Sequence, residues 1–215
     1  MAGLTFQVLG ARAEPYAAVP TIVFQMRIEE ASGQRIHAVA LRCQVQIQPN
    51  RRSHSAAEQK KLLEMFGEPA RWGDTVKPLH WTNVSLMVPS FQGAVTMDLP
   101  MTCTYDFEVT AAKYFAGLDD GEIPLLFLFS GTVFTPGASG FMVERVPWEK
   151  EAAFRLPVRI WREVMDLYFP NSTWIRLQRE SLDALQRFKA ERALPTWDDT
   201  VAALLASVPA SEVPS

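Results

Sequence analysis

Residues 125–134 read LLFLFSGTVF, and this segment is apolar on both sides of an extended strand. It is too short to span a membrane, which takes roughly 20 apolar residues in a helix. A strand with this pattern requires cover on both of its faces. We therefore predict a central strand around which the rest of the chain packs. The apolar side chains on one face of this strand are Leu125, Phe127, Phe129 and Val133, and those on the other face are Leu126, Leu128 and Phe134.

Several shorter segments alternate apolar with polar residues, which indicates strands with one buried and one solvated face. The first three span residues 4–9, 22–28 and 39–47. The short turn ASGQ at 31–34 predicts that the second and third segments form an antiparallel hairpin. Further short strands are predicted at 84–88, 141–146 and 152–156.

The longest alternation runs from residue 95 to residue 109, with an apolar or aromatic side chain at every second position. A helix would distribute these side chains over all its sides, so the pattern predicts a strand. Pro100 cannot donate a backbone hydrogen bond, which predicts an edge strand, or a bend or break at that position. Because this run greatly exceeds the usual strand length, we also expect two strands in line that cross between sheets.

Helical signals are concentrated at two places in the chain. Ser55 and Glu58 form a capping box, and Gly67 is a suitable helix stop, so one short helix is predicted near 55–66. A short helical connection follows at 111–118. From residue 157 onward the apolar residues recur at helical spacing, which predicts helices at about 157–169, 173–192 and 196–208. Thr196 and Asp199 form a second capping box at the start of the last of these.

The order of these elements predicts an α+β protein. An N-terminal antiparallel β-sandwich is followed by a C-terminal helical segment of about three helices. We expect the sandwich domain to span residues 1–156 and the helical module to span 157–208. The Pro-rich end, 209–215, is expected to be disordered.

Composition excludes several classes of function. The net charge of −3 provides no overall positive field for nucleic acid or anionic lipid. The N-terminus lacks the basic and apolar regions of a secretory signal, so a cytoplasmic location is expected. No segment has the length and hydrophobicity of a membrane span. Homo-oligomerisation remains open.

Motifs that carry chemistry are missing from the sequence. The three histidines are far apart, no Cys-x-x-Cys pair is present, and neither a phosphate-binding loop nor a nucleophile elbow occurs. We therefore predict no metal, no cofactor and no catalytic residue. One enzymatic alternative stays open, a dispersed site formed by Asp98, Asp106, Asp119 and Tyr114. A second alternative is a holdase-like chaperone, because the chain resembles export chaperones in having its strands first and its amphipathic helices last.

The six tryptophans favour a protein-binding surface, since tryptophan is enriched at interface hot spots. Most of them fall in or near the helical module, and the helix predicted at 173–192 combines an apolar face with a basic polar face. An acidic protein partner fits such a helix. The candidate partner-binding residues are Trp161, Trp174, Leu177, Phe188, Arg176, Arg187 and Trp197.

Three segments carry a resemblance to a known family: LRCQVQIQPNRR at 41–52, AAKYFAGLDDGEIPLLFLFSGTVF at 111–134, and the segment from WIRLQRESLDAL to TWDDTVAALL at 174–205. In them the chain resembles an uncharacterised family of conserved bacterial proteins associated with gene clusters for uptake nickel–iron hydrogenases. The resemblance implies an accessory or assembly role beside a metalloenzyme, with a hydrogenase subunit or maturation factor as partner. The family has no established catalytic residues, so the resemblance assigns none to this chain.

Overall fold

A computed structural model describes residues 3–104, 109–137, 140–172, 175 and 177–207 of the chain. Its strands are Leu4–Ala13 (β1), Thr21–Glu30 (β2), Ala38–Ile47 (β3), Leu79–Val88 (β4), Ala94–Thr102 (β5), Glu122–Gly137 (β6), Gly140–Arg145 (β7) and Glu151–Pro157 (β8). Its α-helices are Ala56–Lys61 (α1), Leu63–Phe66 (α2), Trp72–Thr75 (α3), Thr110–Ala116 (α4), Val158–Tyr168 (α5), Arg179–Glu191 (α6) and Trp197–Ala206 (α7).

The strands form two antiparallel sheets, which confirms the predicted α+β class with a β-sandwich. One sheet has three strands in the order β1–β2–β5. The other has five, in which β4, β3 and β6 are neighbours, and β7 and β8 both pair with the far edge of β6. The sixteen-residue β6 is therefore the central strand that the sequence predicts.

One face of β6 forms the centre of the core, while its other face is only partly buried. Phe127 is fully buried and meets Phe24 of the opposite sheet edge to face, with 5.2 Å between ring centroids. Phe129 stacks on Phe6 at 4.2 Å. Leu128, on the opposite face, remains partly exposed. The expectation of full cover on both faces is wrong, because the three-stranded sheet covers only the inner face.

The predicted hairpin of β2 and β3 is also wrong. These strands lie in different sheets: β2 pairs with β1 and β5, whereas β3 pairs with β4 and β6. The connection between them carries the chain from one sheet to the other, and Ile36 within it bridges to Phe91. Alternation identifies which side chains point inward, but it does not identify the neighbouring strand.

Strand β5 confirms the interpretation of Pro100, since it is the edge strand of the three-stranded sheet. The strand ends at Thr102, well before residue 109. Most of the predicted continuation, 105–108, lies outside the described residues. Helix α4 begins at Thr110, immediately after the alternating run.

The region after β3 contains two helices where the sequence predicts one. The Ser55–Glu58 capping box is present, but the helix breaks at Leu62, and α2 ends at Gly67 with a φ of 72°. This positive φ explains the glycine. The short helix α3 follows, so the helical content between β3 and β4 exceeds the prediction.

The chain divides into two compact units, Met1–Trp174 and Ile175–Ser215. The sequence places the boundary at 157, whereas helix α5 lies within the first unit. Its Tyr168 hydroxyl donates hydrogen bonds of 2.8 Å to the carbonyl oxygens of Glu14 and Ala17. Five of its side chains are buried, because its amphipathic face packs on the sandwich: Val158, Ile160, Trp161, Val164 and Met165.

The second unit contains α6 and α7. Helix α6 begins at Arg179, later than predicted, and Leu177 precedes the helix; the predicted start at 173 lies outside the described residues. A capping box formed by Thr196 and Asp199 starts α7, as the sequence predicts. Residues 208–215 lie outside the described part of the chain. Within that described part, no helix is long and apolar enough to cross a membrane.

Candidate functional site

Helix α7 presents an exposed apolar stripe formed by Trp197, Val201 and Leu205. These side chains are 45%, 46% and 67% exposed. Their spacing of four residues places them along one face of the helix. The helix buries Thr200 instead, which lies on a different face. A helix normally buries its apolar face, so this stripe is a candidate binding surface.

The neighbouring helix α6 buries none of its residues. Phe188 is partly buried, and the Arg192 guanidinium lies over its ring at 4.1 Å from the centroid. Arg187 is exposed on the same helix. The interaction of a cation with an aromatic face is favourable. Arg192 therefore covers part of the Phe188 ring, which still lies at the surface of the helix.

The turn between α6 and α7 is held by hydrogen bonds. Lys189 Nζ donates to the carbonyl oxygens of Leu194 and Pro195, at 2.5 and 2.9 Å. The same ammonium lies 6.0 Å from the centre of the Trp197 ring. Ala193 adopts a φ of 49°, which reverses the chain. These contacts fix the start of α7, and with it the stripe, relative to α6.

The remaining predicted partner-binding residues lie in different places. Trp161 is a core residue of α5, 4% exposed, with its ring centroid 5.8 Å from that of Phe115. A side chain buried in the sandwich is not available to a partner. Leu177 is 42% exposed, before α6. Trp174 and Arg176 lie outside the described residues.

The later start of α6 changes the charge balance of this helix. Between Arg179 and Glu191 it carries three basic side chains and three acidic ones. The fourth basic residue of the predicted helix, Arg176, lies outside the described residues. The argument that a basic helix selects an acidic partner therefore does not hold for α6.

The residues proposed for a dispersed enzymatic site have separate partners. Asp98 pairs with Arg12 at 2.7 Å across the three-stranded sheet, and the hydrogen bond from Arg12 holds the pKa of Asp98 below its usual value. Asp119 pairs instead with Lys61 at 2.5 Å. Tyr114 is fully buried, and Asp106 lies outside the described residues. No shared pocket connects the described members of this set.

A buried ion pair joins the segment before α1 to α1 itself, and both of its members also hydrogen-bond to the loop before β6. Arg52 Nη2 lies 2.7 Å from Glu58 Oε1, and both side chains are at most 10% exposed. Burial alone would raise the pKa of Glu58, but N–H groups of Asp119 and Ser55 and the Arg52 charge hold this pKa below its usual value. Arg52 also donates to the carbonyl oxygen of Asp120. Every partner is a group of the fold itself, so the pair is structural.

His54 and Tyr114 form the one histidine–tyrosine contact in the described chain, with 3.0 Å between Nε2 and the hydroxyl oxygen. Burial and the Arg52 charge lower the pKa of His54, and burial raises the pKa of Tyr114. Both groups are therefore neutral at neutral pH. A phenol that stays protonated is a poor nucleophile or base, so this contact does not activate Tyr114. It holds the His54 ring in place, edge to face with the ring of Trp72.

The described residues contain no cluster of three histidine, cysteine or carboxylate side chains able to hold a metal ion. Both cysteines are free thiols. Cys43 is fully buried, and burial raises its pKa to about 12. Such a thiol is neither a nucleophile nor a ready metal ligand.

A groove that sequence reasoning missed lies on the outer face of the five-stranded sheet. It has a volume of about 1070 Å³ and is lined by residues from β3, β4, β6, β7 and the connection to β8. Arg42, which the sequence groups with Arg51 and Arg52 as a small basic spot on a solvated edge, is one of its lining residues, whereas Arg51 and Arg52 are not. No local pattern could have found the groove, because its residues meet only through strand pairing.

The comparisons define the family of this chain. It belongs to a family of unknown function (DUF6084), whose model matches residues 1–213. None of the curated proteins matches the sequence.

Solved structures show only distant likenesses. The CARDB domain of a Pyrococcus furiosus protein, in complex with di-metal ions, is 9% identical over 73% of this chain and 92% of its own, with a TM-score of 0.29. A β-glucosidase 3B from Thermotoga neapolitana is 12% identical over 72% of this chain and 17% of its own, with a TM-score of 0.26. A β-glucosidase from Kluyveromyces marxianus has a TM-score of 0.22 over 72% of this chain and 15% of its own, at 9% identity. Likenesses of this size carry no argument about activity.

Proposed function

We propose that this protein is a non-catalytic interaction protein, which binds another protein through the stripe Trp197, Val201 and Leu205 on α7. The observation that carries the proposal is the exposure of this stripe, from 45% to 67% of each side chain. Exposing an apolar face to water is unfavourable in free energy, and a partner that covers the face removes this penalty.

Helix stability supports the same proposal. Helix α7 has ten residues and α6 has thirteen, both near or below the roughly 12–15 residues at which isolated helices become marginal in water. Helices of this length gain their stability mainly from burying an apolar face. A groove on a partner would provide that burial, in the manner of other amphipathic helices that present anchors at spacings of three and four residues.

The ordered turn also favours binding. Lys189 fixes the turn through Leu194 and Pro195, so little conformational freedom is lost at the start of α7 when a partner docks. Trp197 is the natural anchor, because a large ring with few rotatable bonds buries much area at small entropic cost.

The family resemblance suggests the identity of the partner. We infer from it that the partner is a hydrogenase subunit or a maturation factor, and that the two proteins meet in the cytoplasm. The chain would then serve the assembly of a metalloenzyme without holding the metal itself.

The experiment is quantitative affinity purification of the tagged full-length protein from its native cells. The double variant Trp197→Ala/Leu205→Ala is compared with the wild type and with the control Gln186→Ala/Glu191→Ala, which changes exposed polar residues of α6. We expect the wild type and the control to recover the same specific partner, and the apolar double variant to recover at least about tenfold less.

Thermal unfolding of each variant accompanies the purification. Because the replaced side chains are exposed, we expect the melting temperature to stay close to that of the wild type. Recovery of the same partner by the apolar double variant would refute the proposal. Suppression of the aggregation of unrelated unfolded clients, without any specific partner, would favour the holdase-like chaperone instead.

A further inference from the structure

The groove on the outer face of the five-stranded sheet is built by two rows of side chains. Residues paired across antiparallel strands point to the same face. One row crosses the sheet through Met87, Ala40, Thr132 and Arg145, and the next crosses through Ser85, Arg42 and Ser130.

Short side chains form the floor of this groove and long ones form its walls. Met87 is 62% exposed at one side, and Trp148 is 89% exposed at the other. At the floor, Gly131 lets β6 approach β3 closely, since a Cβ there would lie 2.1 Å from the carbonyl oxygen of Ala40. The floor of the groove is therefore set by the strand pairing, while the wall at Trp148 belongs to the connection between β7 and β8.

The groove is positively charged, on a protein whose net charge is −3. Its lining includes Arg42 and Arg145 and no carboxylate side chain. Both arginines are exposed, and the ion pairs among the described residues include neither of them. Two arginines in one groove, with no acidic partner among the residues that the structure describes, are suited to carboxylates supplied by another molecule.

The spacing of the two arginines indicates the shape of that molecule. Arg42 on β3 and Arg145 on β7 are separated by β6 and by two residues along it, so their backbones lie roughly 12 Å apart. In an extended segment, side chains on the same face recur about every 7 Å. Two carboxylates on one face of an extended chain can thus reach both arginines.

We propose that this groove binds an extended acidic segment of a partner protein, with carboxylates on Arg42 and Arg145 and an apolar side chain against Trp148. A nucleic acid fits less well, because its binding rests on many phosphate contacts and the groove offers two cations. The site lies within the first compact unit, and its assignment does not depend on the role proposed for α7.

A random dodecapeptide library displayed on phage is the probe, selected against the full-length wild-type protein. We expect the selected peptides to be acidic and to include an aromatic or large aliphatic residue. Synthetic copies are then measured by fluorescence anisotropy against Arg42→Gln/Arg145→Gln and against the control Arg71→Gln/Arg159→Gln, which removes two exposed arginines outside the groove.

We expect the control to bind like the wild type and the groove double variant to bind at least about tenfold more weakly. Trp148→Ala should weaken binding as well, and added salt should weaken wild-type binding. All variants should keep the wild-type melting temperature, because the replaced side chains are exposed. The proposal is overturned if the selected peptides are not acidic or if they bind the groove variant as tightly as the control. Tighter binding of an oligothymidylate than of any selected peptide, lost in the groove variant, would also overturn it in favour of nucleic acid.

Discussion

Two adjacent residues of β6 provide a sharp test of the sandwich. Phe127 is fully buried against Phe24 of the opposite sheet, whereas Leu128 points to the partly exposed outer face. Replacing a buried phenylalanine with alanine leaves a cavity and costs about 3–5 kcal/mol. Replacing a partly exposed leucine costs less, about 1–2 kcal/mol, because part of its surface is in water already and the site can relax.

The assay is urea unfolding followed by circular dichroism, with Phe127→Ala and Leu128→Ala measured side by side. We expect Phe127→Ala to lower the unfolding free energy at least about twice as much as Leu128→Ala. Each variant is the control for the other, since both sit on the same strand with the same backbone pairing. Equal losses, or a larger loss for Leu128→Ala, would refute the assignment of the inner and outer faces.

Other predictions concern single groups. Glu58→Gln should lower the unfolding free energy at pH 7 by about 3 kcal/mol, since Arg52 loses its buried partner. Because folding lowers the pKa of Glu58, that difference should be complete above the unfolded value of about 4.3 and shrink as the pH falls below it; a constant difference in urea titrations down to pH 3 would contradict this. Gly131→Ala should cost about 3 kcal/mol or more in the same titration, because its φ is 146° and the new Cβ meets the Ala40 carbonyl. Cys43 should react with a thiol reagent at pH 8 only after denaturation, as checked by mass spectrometry, because it is fully buried and its pKa is raised.

The sequence predicted those features that depend on local pattern. Alternation identified most of the strands and their inward-facing residues, as Phe24 and Met26 in the segment 22–28 show, whereas the unbroken apolar pattern of β6 did not reveal which of its faces is inward. Both capping boxes, at Ser55 and Thr196, are present because they need only side chains three residues apart. The edge position of Pro100 followed from the missing N–H group.

Features that depend on long-range pairing were not predictable in the same way. The connection after β2 has a turn sequence that fits a hairpin, yet the chain uses it to change sheets. Trp161 has the same helical spacing as an exposed anchor would have, but α5 packs on the sandwich and buries it. The groove around Arg42 and Arg145 required the register of four strands, which no local pattern encodes.

The most direct measurement of the central claim is site-specific photo-crosslinking in the native cells. A photoreactive amino acid replaces Leu205, the most exposed member of the α7 stripe, in the full-length protein. The matched control carries it at Ser207, just beyond the same helix. We predict one specific protein crosslinked through position 205 and much less of it through position 207, with loss of the adduct when Trp197 is changed to alanine. No adduct above background at position 205, or equal adducts at both positions, would contradict the claim that this stripe binds a partner.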